Sequence, residues 1–277
     1  MTEQIRRVAF IGAGAMAEAM IAGILRRAVV APAHISASHP RPARRAELAD
    51  RYSILTHEDN RMMIAGTDLI VLTVKPQIVR SVLTELRDTM TTDQVVLSIA
   101  AGVPLSILVN GLGGHTAVAR AMPNTPAQIG AGVTVWTTTA DVSEPQRTMI
   151  DTVLSALGDA HYVADEKLVD MATALSGTGP TYVFLVMEAL IDAGVHLGFS
   201  RHLAEQLVVG TMAGSVAFAA QSHKHPAELR NLVTSPGGTS AEAIYQMEKG
   251  GLRTVLSKAV YAAYQRTVTL RQAQEQE

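Results

Sequence analysis

Short apolar runs alternate with amphipathic stretches through the first half of the chain. The runs predict β-strands at residues 8–11, 34–38, 68–74, 94–99 and 117–121, with two further short strands at 132–137 and 161–163. The run 69–72 (Leu-Ile-Val-Leu) has no polar position, as expected of a strand covered on both faces. Strands that alternate with helices in this way indicate an α/β fold with a doubly wound parallel sheet and right-handed crossovers.

The pattern changes after about residue 164, where strand signals stop and helical periods continue to the end of the chain. Residues 177–180 (Gly-Thr-Gly-Pro) begin a long predicted helix, with proline at a tolerated first-turn position. Residues 198–200 separate this helix from a second one. The chain therefore divides into a sheet domain, residues 1–164, and an all-α domain, residues 165–277.

Composition and charge narrow the classes of function. A formal net charge of −2 gives no general attraction to nucleic acid or to an anionic membrane. Cysteine is absent, which excludes disulfides, thiolate catalysis and cysteine-based metal sites, and we predict no metal site. The apolar stretches 182–197 and 203–220 are interrupted by polar residues, so they predict bundle helices rather than membrane spans. The N-terminus has no signal-peptide layout, and we expect a cytoplasmic protein.

A glycine-rich turn follows the first predicted strand. Residues 12–17 read Gly-Ala-Gly-Ala-Met-Ala, and a helix is predicted over 15–28. Glycine permits the sharp turn and lets the backbone approach a pyrophosphate, whose charge the helix N-terminus favours. The turn predicts a Rossmann-type, dinucleotide-binding domain, and a plain strand–helix turn is the alternative.

The second predicted strand ends without the acidic residue that binds the ribose 2′-hydroxyl of NAD. Residues 28–46 contain no Asp or Glu and instead hold His39, Arg41, Arg44 and Arg45. These basic groups favour the 2′-phosphate of NADPH, with NADH as a weaker cofactor. Arginines on a solvated helix face are the alternative.

Three further segments follow predicted strands, where ligands of open α/β sheets bind. The predicted cofactor contacts at two strand ends are Val74, Lys75, Pro76, Ala100 and Ala101. Asn124 lies in a loop made rigid by two prolines and offers one acceptor and two donors to a carboxamide or sugar. A solvated lysine at position 75 and an Asn-capped turn at position 124 are the alternatives.

A second glycine-rich segment lies in the helical half. Residues 235–240 read Ser-Pro-Gly-Gly-Thr-Ser and precede a helical run at 241–248. A helix entrance of this kind presents free N–H groups to a carboxylate, and the Ser240 hydroxyl is free to meet a substrate nitrogen. Thr239 and Glu242 also have capping-box spacing, which predicts a side-chain cap at the start of this helix.

These segments together resemble those of pyrroline-5-carboxylate reductases, from Val8 to about Thr269. The matching segments are the glycine turn, Val-Lys-Pro at 74–76, Ser-x-Ala-Ala-Gly at 98–102, Met-Pro-Asn-Thr-Pro at 122–126, Leu-Ser-Gly-Thr-Gly-Pro at 175–180, His-Pro at 225–226 and Ser-Pro-Gly-Gly-Thr at 235–239. Several such segments, in order, are far more specific than any one of them.

The resemblance implies NADPH-dependent reduction of 1-pyrroline-5-carboxylate to L-proline, the last step of proline biosynthesis, by hydride transfer to the imine carbon. It implies cofactor contacts at Gly12, Ala13, Gly14, Ala15, Met16, His39, Arg41 and Asn60. It implies substrate contacts at Glu166, Thr239 and Ser240. The N–H groups of the loop, at Gly237 and Gly238, would hold the substrate carboxylate. Ser240 would be the catalytic residue, hydrogen-bonded to the imine nitrogen as it becomes an amine.

The resemblance also implies assembly. In this family the helical domain interleaves with that of a second subunit, and the active site lies between the cofactor domain and helices contributed by the dimer. Dimers often form a ring of five. We therefore expect a homodimer that assembles into a homodecamer, with the small-molecule substrate as its other partner.

The chain departs from the family pattern at four positions, and two other functions are alternatives. Ala15 replaces a common Asn or Gln, Thr178 and Thr181 replace Ser and Ala, and Ser240 replaces Thr, which affects affinity and rate rather than reaction type. A β-hydroxyacid dehydrogenase is the alternative enzyme. That family uses a lysine on the helix that opens the second domain, whereas residues 181–197 of this chain contain no lysine. A non-catalytic NADPH-binding protein is the other alternative, and the complete substrate loop argues against it.

Overall fold

The structure, a computed structural model, describes residues 5–276. The strands are β1 (Val8–Ile11), β2 (Ile35–Ser38), β3 (Leu55–His57), β4 (Leu69–Leu72), β5 (Val95–Ser98), β6 (Val118–Met122), β7 (Gly132–Thr138) and β8 (Gly158–Tyr162). The helices are α1 (Ala15–Arg26), α2 (Pro42–Tyr52), α3 (Arg61–Ile64), α4 (Val79–Leu86), α5 (Leu105–Gly111), α6 (Glu144–Ser155), α7 (Lys167–Ala172), α8 (Gly179–His196), α9 (Arg201–Ser222), α10 (Pro226–Leu232), α11 (Thr239–Lys249) and α12 (Leu252–Gln276).

The strands form one eight-stranded sheet in the order β3-β2-β1-β4-β5-β6-β7-β8. The first six strands in that order are parallel, and the direction of progress reverses on either side of β1. Such a reversal opens a crevice at the carboxyl ends of the strands, where ligands of these sheets bind. The predicted doubly wound α/β fold is confirmed.

The sheet is parallel except at one pair of strands near its edge. β7 runs antiparallel to β6, with Met122 opposite Val135, while β8 runs parallel to β7. The connection between β6 and β7, residues 123–131, is too short for the crossover that a parallel pair needs. β3 is missing from the predicted strands, because its three residues are exposed or half-buried and form no apolar run.

Two apolar layers cover the sheet. Phe10, Ile24 and Trp136 belong to a cluster that includes residues of α1 and α6. Leu83 and Leu108 belong to a second cluster, which includes residues of α4 and α5. The strand ends that face the crevice are therefore held by a core on both faces.

The chain forms two compact units. The sheet unit contains the described residues up to Pro180 together with those from Ala262, and the helical unit contains Thr181–Tyr261. Packing thus places residues 165–180 and the end of α12 with the sheet. The domain boundary predicted at 164/165 stays a prediction.

The helical unit exposes much apolar surface. Phe184, Leu185, Leu197, Val216 and Phe218 are each more than half exposed. By length and composition, the two helical stretches Lys167–His196 and Arg201–Ser222 could also cross a membrane, with mean hydropathies of 1.3 and 1.4. Surface of this kind marks contact with another protein or with a membrane.

Candidate active site

The glycine turn closes on itself through β2. The Ser38 carbonyl oxygen accepts hydrogen bonds from the N–H groups of Gly12 (3.2 Å) and Ala13 (2.8 Å). Gly14 donates its N–H to the Gly12 carbonyl at 2.7 Å. The N–H groups of the turn are therefore occupied by the protein, and phosphate binding falls to the residues that follow it.

The N-terminus of α1 supplies those groups. Gly14 is the N-cap and gives no side-chain cap, and the helix begins at Ala15. The first N–H groups of a helix have no acceptor within it, and together they favour an anion. Ala15 is exposed and Met16 is half-buried, so their N–H groups are open to a ligand.

The ends of β1, β4 and β5 lie side by side at the same edge. Ile11 pairs with Leu72, which pairs with Ser98 on its other side. The predicted contacts Val74, Lys75, Pro76, Ala100 and Ala101 follow these ends directly. The structure therefore brings them together beside the glycine turn. Thr73, which sequence reasoning missed, joins two of the strands by donating its hydroxyl to the carbonyls of Ile11 (3.0 Å) and Gly12 (2.8 Å).

The turn after β2 carries His39 and Arg41. Arg41 donates its backbone N–H to Nδ1 of His39 at 3.1 Å, so this ring nitrogen is an acceptor. Burial, together with the charges of Arg41, Arg44 and Arg45, lowers the pKa of His39 below its usual value. His39 is therefore uncharged near neutral pH, and a bound phosphate would favour its protonation.

The three arginines of this segment have different roles. Arg44 donates to the Ala13 carbonyl and pairs with Glu18 and Glu47. Arg45 donates to the carbonyls of His39 (2.7 Å) and Pro40 (3.0 Å) and pairs with Glu58.

The guanidinium group of Arg41 has no hydrogen bond or ion pair among residues 5–276. Only Arg41 of the three is thus free to bind a 2′-phosphate without first breaking a contact in the protein. The prediction treated the three arginines as one cluster.

Asn60 is linked to the same strand end. The Ser38 hydroxyl donates to Oδ1 of Asn60 at 2.6 Å, and Asn60 Nδ2 donates to Glu85 at 2.8 Å. One N–H of the amide is left for a cofactor. Glu85, on α4, was not predicted, because no local sequence pattern links it to Asn60.

Asn124 mainly holds its own loop. Its Oδ1 accepts the Val133 N–H at 2.9 Å, and its Nδ2 donates to the Ser176 carbonyl at 3.1 Å. The side chain is almost fully buried. Of the one acceptor and two donors of the Asn124 amide, one N–H therefore remains for a ligand.

Glu166 is anchored from two sides. Its Oε1 accepts from Arg120 Nη1 at 3.0 Å and from the Leu105 N–H at 2.8 Å. Arg120 also pairs with the buried Asp170, which in turn binds Arg271 at 3.2 Å. A substrate contact by Glu166 would therefore use Oε2. No local sequence pattern indicates this network, because Arg120 lies inside an apolar strand and its partners are far along the chain.

The loop before α11 belongs to the helical unit. Gly237 has φ +70°, and Gly238 is the N-cap of α11 and donates its N–H to the Ser235 carbonyl at 3.0 Å. The N–H groups of Thr239 and Ser240 have no acceptor among the described residues. These N–H groups are open to an anion, and the Ser240 side chain is half-buried beside them.

The predicted capping box at Thr239 was wrong. Thr239 is the first helical residue rather than the N-cap, so its side chain is not placed to accept from the helix. The Gly238 carbonyl accepts instead from Ala241 (3.1 Å) and Glu242 (3.3 Å). The first N–H groups of α11 are thereby left without a side-chain cap. Among the described residues, no group of three or more His, Asp or Glu side chains is placed to hold a metal ion.

Family models match both the sheet part and the helical part of the chain. Residues 166–270 match the family described as pyrroline-5-carboxylate reductase dimerisation, and residues 7–102 match NADP oxidoreductase, coenzyme F420-dependent. The chain is 41% identical to the pyrroline-5-carboxylate reductase of Pseudomonas aeruginosa, over 95% of this chain and 96% of the relative. It is 38% identical to that of Pisum sativum, over 93% of each chain.

Solved structures give the same result. A pyrroline-5-carboxylate reductase from Coxiella burnetii superposes with a TM-score of 0.89 at 33% identity, covering 97% of this chain and 99% of that one. The Plasmodium falciparum pyrroline carboxylate reductase with NADP bound also gives 0.89, at 30% identity over 98% of this chain and 100% of that one. Full-length similarity at this level shows that the chain belongs to the pyrroline-5-carboxylate reductase family.

Proposed function

We infer that this protein reduces 1-pyrroline-5-carboxylate to L-proline with NADPH, the last step of proline biosynthesis. The observation that supports this conclusion is that a member of this family has uncapped helix starts after both of its glycine-rich segments, at α1 and at α11. The test is NADPH consumption, followed at 340 nm, with pyrroline-5-carboxylate as substrate and proline identified as the product. Absence of turnover with the NADPH-bound protein would refute the function.

We propose specific cofactor contacts. NADPH, when bound, supplies a hydride to the imine carbon. The N–H groups of Ala15 and Met16 bind the pyrophosphate, and Arg41 and His39 bind the 2′-phosphate. The remaining amide N–H groups of Asn60 and Asn124 are available to the adenosine and nicotinamide halves. The small side chains at Ala100 and Ala101 leave space for a ring against the backbone.

We propose that the α11 entrance holds the substrate. The N–H groups of Thr239 and Ser240, with that of Gly237, bind the carboxylate, and the helix dipole favours its charge. The N–H of Gly238 was also predicted to bind it but is occupied by the Ser235 carbonyl. The Ser240 hydroxyl hydrogen-bonds the nitrogen of the imine. As the carbon accepts the hydride, this nitrogen gains a proton, either from Ser240 through water or from solvent. Glu166 contributes its second carboxylate oxygen to the substrate side of the site.

We propose further that the chain is a cytoplasmic homodimer, assembled into a homodecamer, and not a membrane protein. The dimerisation match and the exposed apolar side chains of α8 and α9 support burial against a second copy. Light scattering in detergent-free buffer tests this assembly. A stable, active monomer would refute the dimer, and a protein that stays in solution only with detergent would favour the membrane alternative.

A further inference from the structure

Arg44 connects the glycine turn to α2. Its Nε donates to the Ala13 carbonyl at 3.1 Å, and its two terminal nitrogens pair with Glu18 at 2.5 Å and Glu47 at 2.9 Å. The Arg44 side chain is only 13% exposed and the Glu18 side chain 19%. Each nitrogen of this guanidinium group therefore already has a protein acceptor.

Glu18 binds the other end of the same helix. One of its oxygens accepts from Arg51 at 2.8 Å and from the Tyr52 hydroxyl at 2.9 Å. Although burial opposes it, hydrogen bonds from Arg44 and Tyr52 and the charges of Arg44 and Arg51 hold the pKa of Glu18 below its usual value. We call these four residues, Glu18, Arg44, Arg51 and Tyr52, the α1–α2 clamp.

The clamp lies between two groups that contact one ligand in the proposed function. The N–H groups of Ala15 and Met16 begin α1, three or fewer residues before Glu18. Arg41 is the N-cap of α2, three residues before Arg44. The distance between a pyrophosphate site and a 2′-phosphate site is thus set by how α1 and α2 are held together.

We propose that Arg44 and Glu18 are positioning residues for NADPH selectivity, which hold Arg41 and His39 at the correct distance from the N-terminus of α1. This inference rests on the proposed cofactor site. NADPH must contact both sites at once, whereas NADH needs only the first. Loosening the clamp therefore weakens the binding of NADPH more than that of NADH, although neither Arg44 nor Glu18 contacts the cofactor.

Glu18→Gln distinguishes this role from direct phosphate binding by the sign of its effect. If Arg44 bound the phosphate itself, removing the carboxylate that competes for it would tighten NADPH binding. If Arg44 instead positions α2, the same change weakens NADPH binding. We expect Glu18→Gln and Arg44→Met each to raise the Kd of NADPH about three- to tenfold and that of NADH less than about twofold. Both dissociation constants are measured by fluorescence titration at one ionic strength.

Arg87→Met is the matched control. Arg87 also joins two helices of the sheet unit through an arginine-to-carbonyl hydrogen bond, from Nε to the Gly111 oxygen at 3.2 Å, but it connects α4 to α5. It should leave the ratio of the two dissociation constants unchanged. The double variant Glu18→Gln/Arg44→Met should lose less selectivity than the two single losses added together, because both changes remove the Glu18–Arg44 ion pair.

Three outcomes overturn the inference. Tighter NADPH binding by Glu18→Gln would make Arg44 a phosphate ligand. A lower melting temperature with an unchanged ratio of dissociation constants would make the clamp purely structural, as would equal weakening of both cofactors. Failure of the unaltered protein to bind NADPH would refute the proposed function itself, and this inference with it.

Discussion

Alanine at Gly12 and alanine at Gly14 are expected to damage different properties of the protein, although both lie in one turn. Gly12 has φ +93°, and a Cβ there would lie 2.4 Å from Val74 Cγ1 and 3.1 Å from the Val74 backbone. The backbone conformation and the overlap together cost about 2–4 kcal/mol. Gly12→Ala should therefore lower the free energy of unfolding of the protein without cofactor.

Gly14 has a conformation that any residue can adopt, with φ −79° and ψ −166°. The nearest atom to a Cβ at this position is the Gly12 carbonyl oxygen, at 3.9 Å. The fold therefore tolerates alanine here, apart from the modest preference for Gly over Ala at an N-cap. The added methyl group would instead lie at the start of α1, where we propose that the pyrophosphate binds. Loss of one charge-assisted hydrogen bond there costs about 1.5–3 kcal/mol, or roughly ten- to a hundredfold in Kd.

Two measurements separate the effects: thermal unfolding of the cofactor-free protein and fluorescence titration with NADPH. We expect Gly12→Ala to melt several degrees lower. Gly14→Ala should melt near the unaltered protein but bind NADPH much more weakly. Unchanged NADPH affinity in Gly14→Ala would show that the pyrophosphate does not lie over this turn. An unchanged melting temperature in Gly12→Ala would contradict the close approach of Val74.

Three further predictions concern single side chains. Ser240→Ala should lower kcat/KM for pyrroline-5-carboxylate about ten- to a hundredfold, with NADPH binding intact, and Ser240→Thr should stay active. Normal turnover by Ser240→Ala, together with loss of hydride transfer in a cofactor-bound Lys75→Ala, would show that the chemistry depends on Lys75 and not on Ser240. Arg41→Asp should raise KM for NADPH more than for NADH, and equal effects would remove it from the 2′-phosphate site. The folded protein lowers the pKa of His39 below its usual 6.5. The unfolded chain therefore binds a proton at His39 more readily than the folded protein does. As pH falls through 6.5, this difference lowers the free energy of unfolding. His39→Gln should therefore lose less stability than the unaltered protein between about pH 7.5 and 5.5 in thermal melts, and identical losses would contradict this sign.

The sequence predicted most of the sheet because buried parallel strands have a strong local pattern. The runs that become β1, β4 and β5 are continuous and apolar, and the structure buries every residue of them. β3 has no such pattern, since Leu55 is 59% exposed at the sheet edge. The direction of β7 depends on the length of the preceding connection, which a strand pattern does not encode.

The candidate site was predictable where it consists of backbone. A glycine turn before a helix fixes its own geometry, so Ala15 and Ser240 could be located from local sequence alone. Side-chain partners are different, because tertiary contacts decide them. Arg44 and Arg45 looked equivalent to Arg41 in the sequence, but acceptors on α1 and in the turn occupy their guanidinium groups.

Both proposed anion sites use the start of a helix rather than a charged side chain, and this suits the reaction. Hydride transfer to an imine creates no strong nucleophile and needs no metal, so the main task is to hold two anionic ligands in orientation. A lysine or arginine at either site would bind the anion from a flexible side chain, whereas N–H groups at the starts of α1 and α11 are fixed by the helix that follows. The two entrances differ in one respect. In the first, Ser38 occupies the N–H groups of Gly12 and Ala13, which leaves only the helix itself to bind phosphate. In the second, Gly238 donates its N–H to the Ser235 carbonyl, but the N–H of Gly237 has no acceptor among the described residues, so the proposed carboxylate site includes one glycine of the loop. Substitutions in the first turn should therefore act mainly on folding or cofactor affinity, and substitutions in the second on kcat/KM.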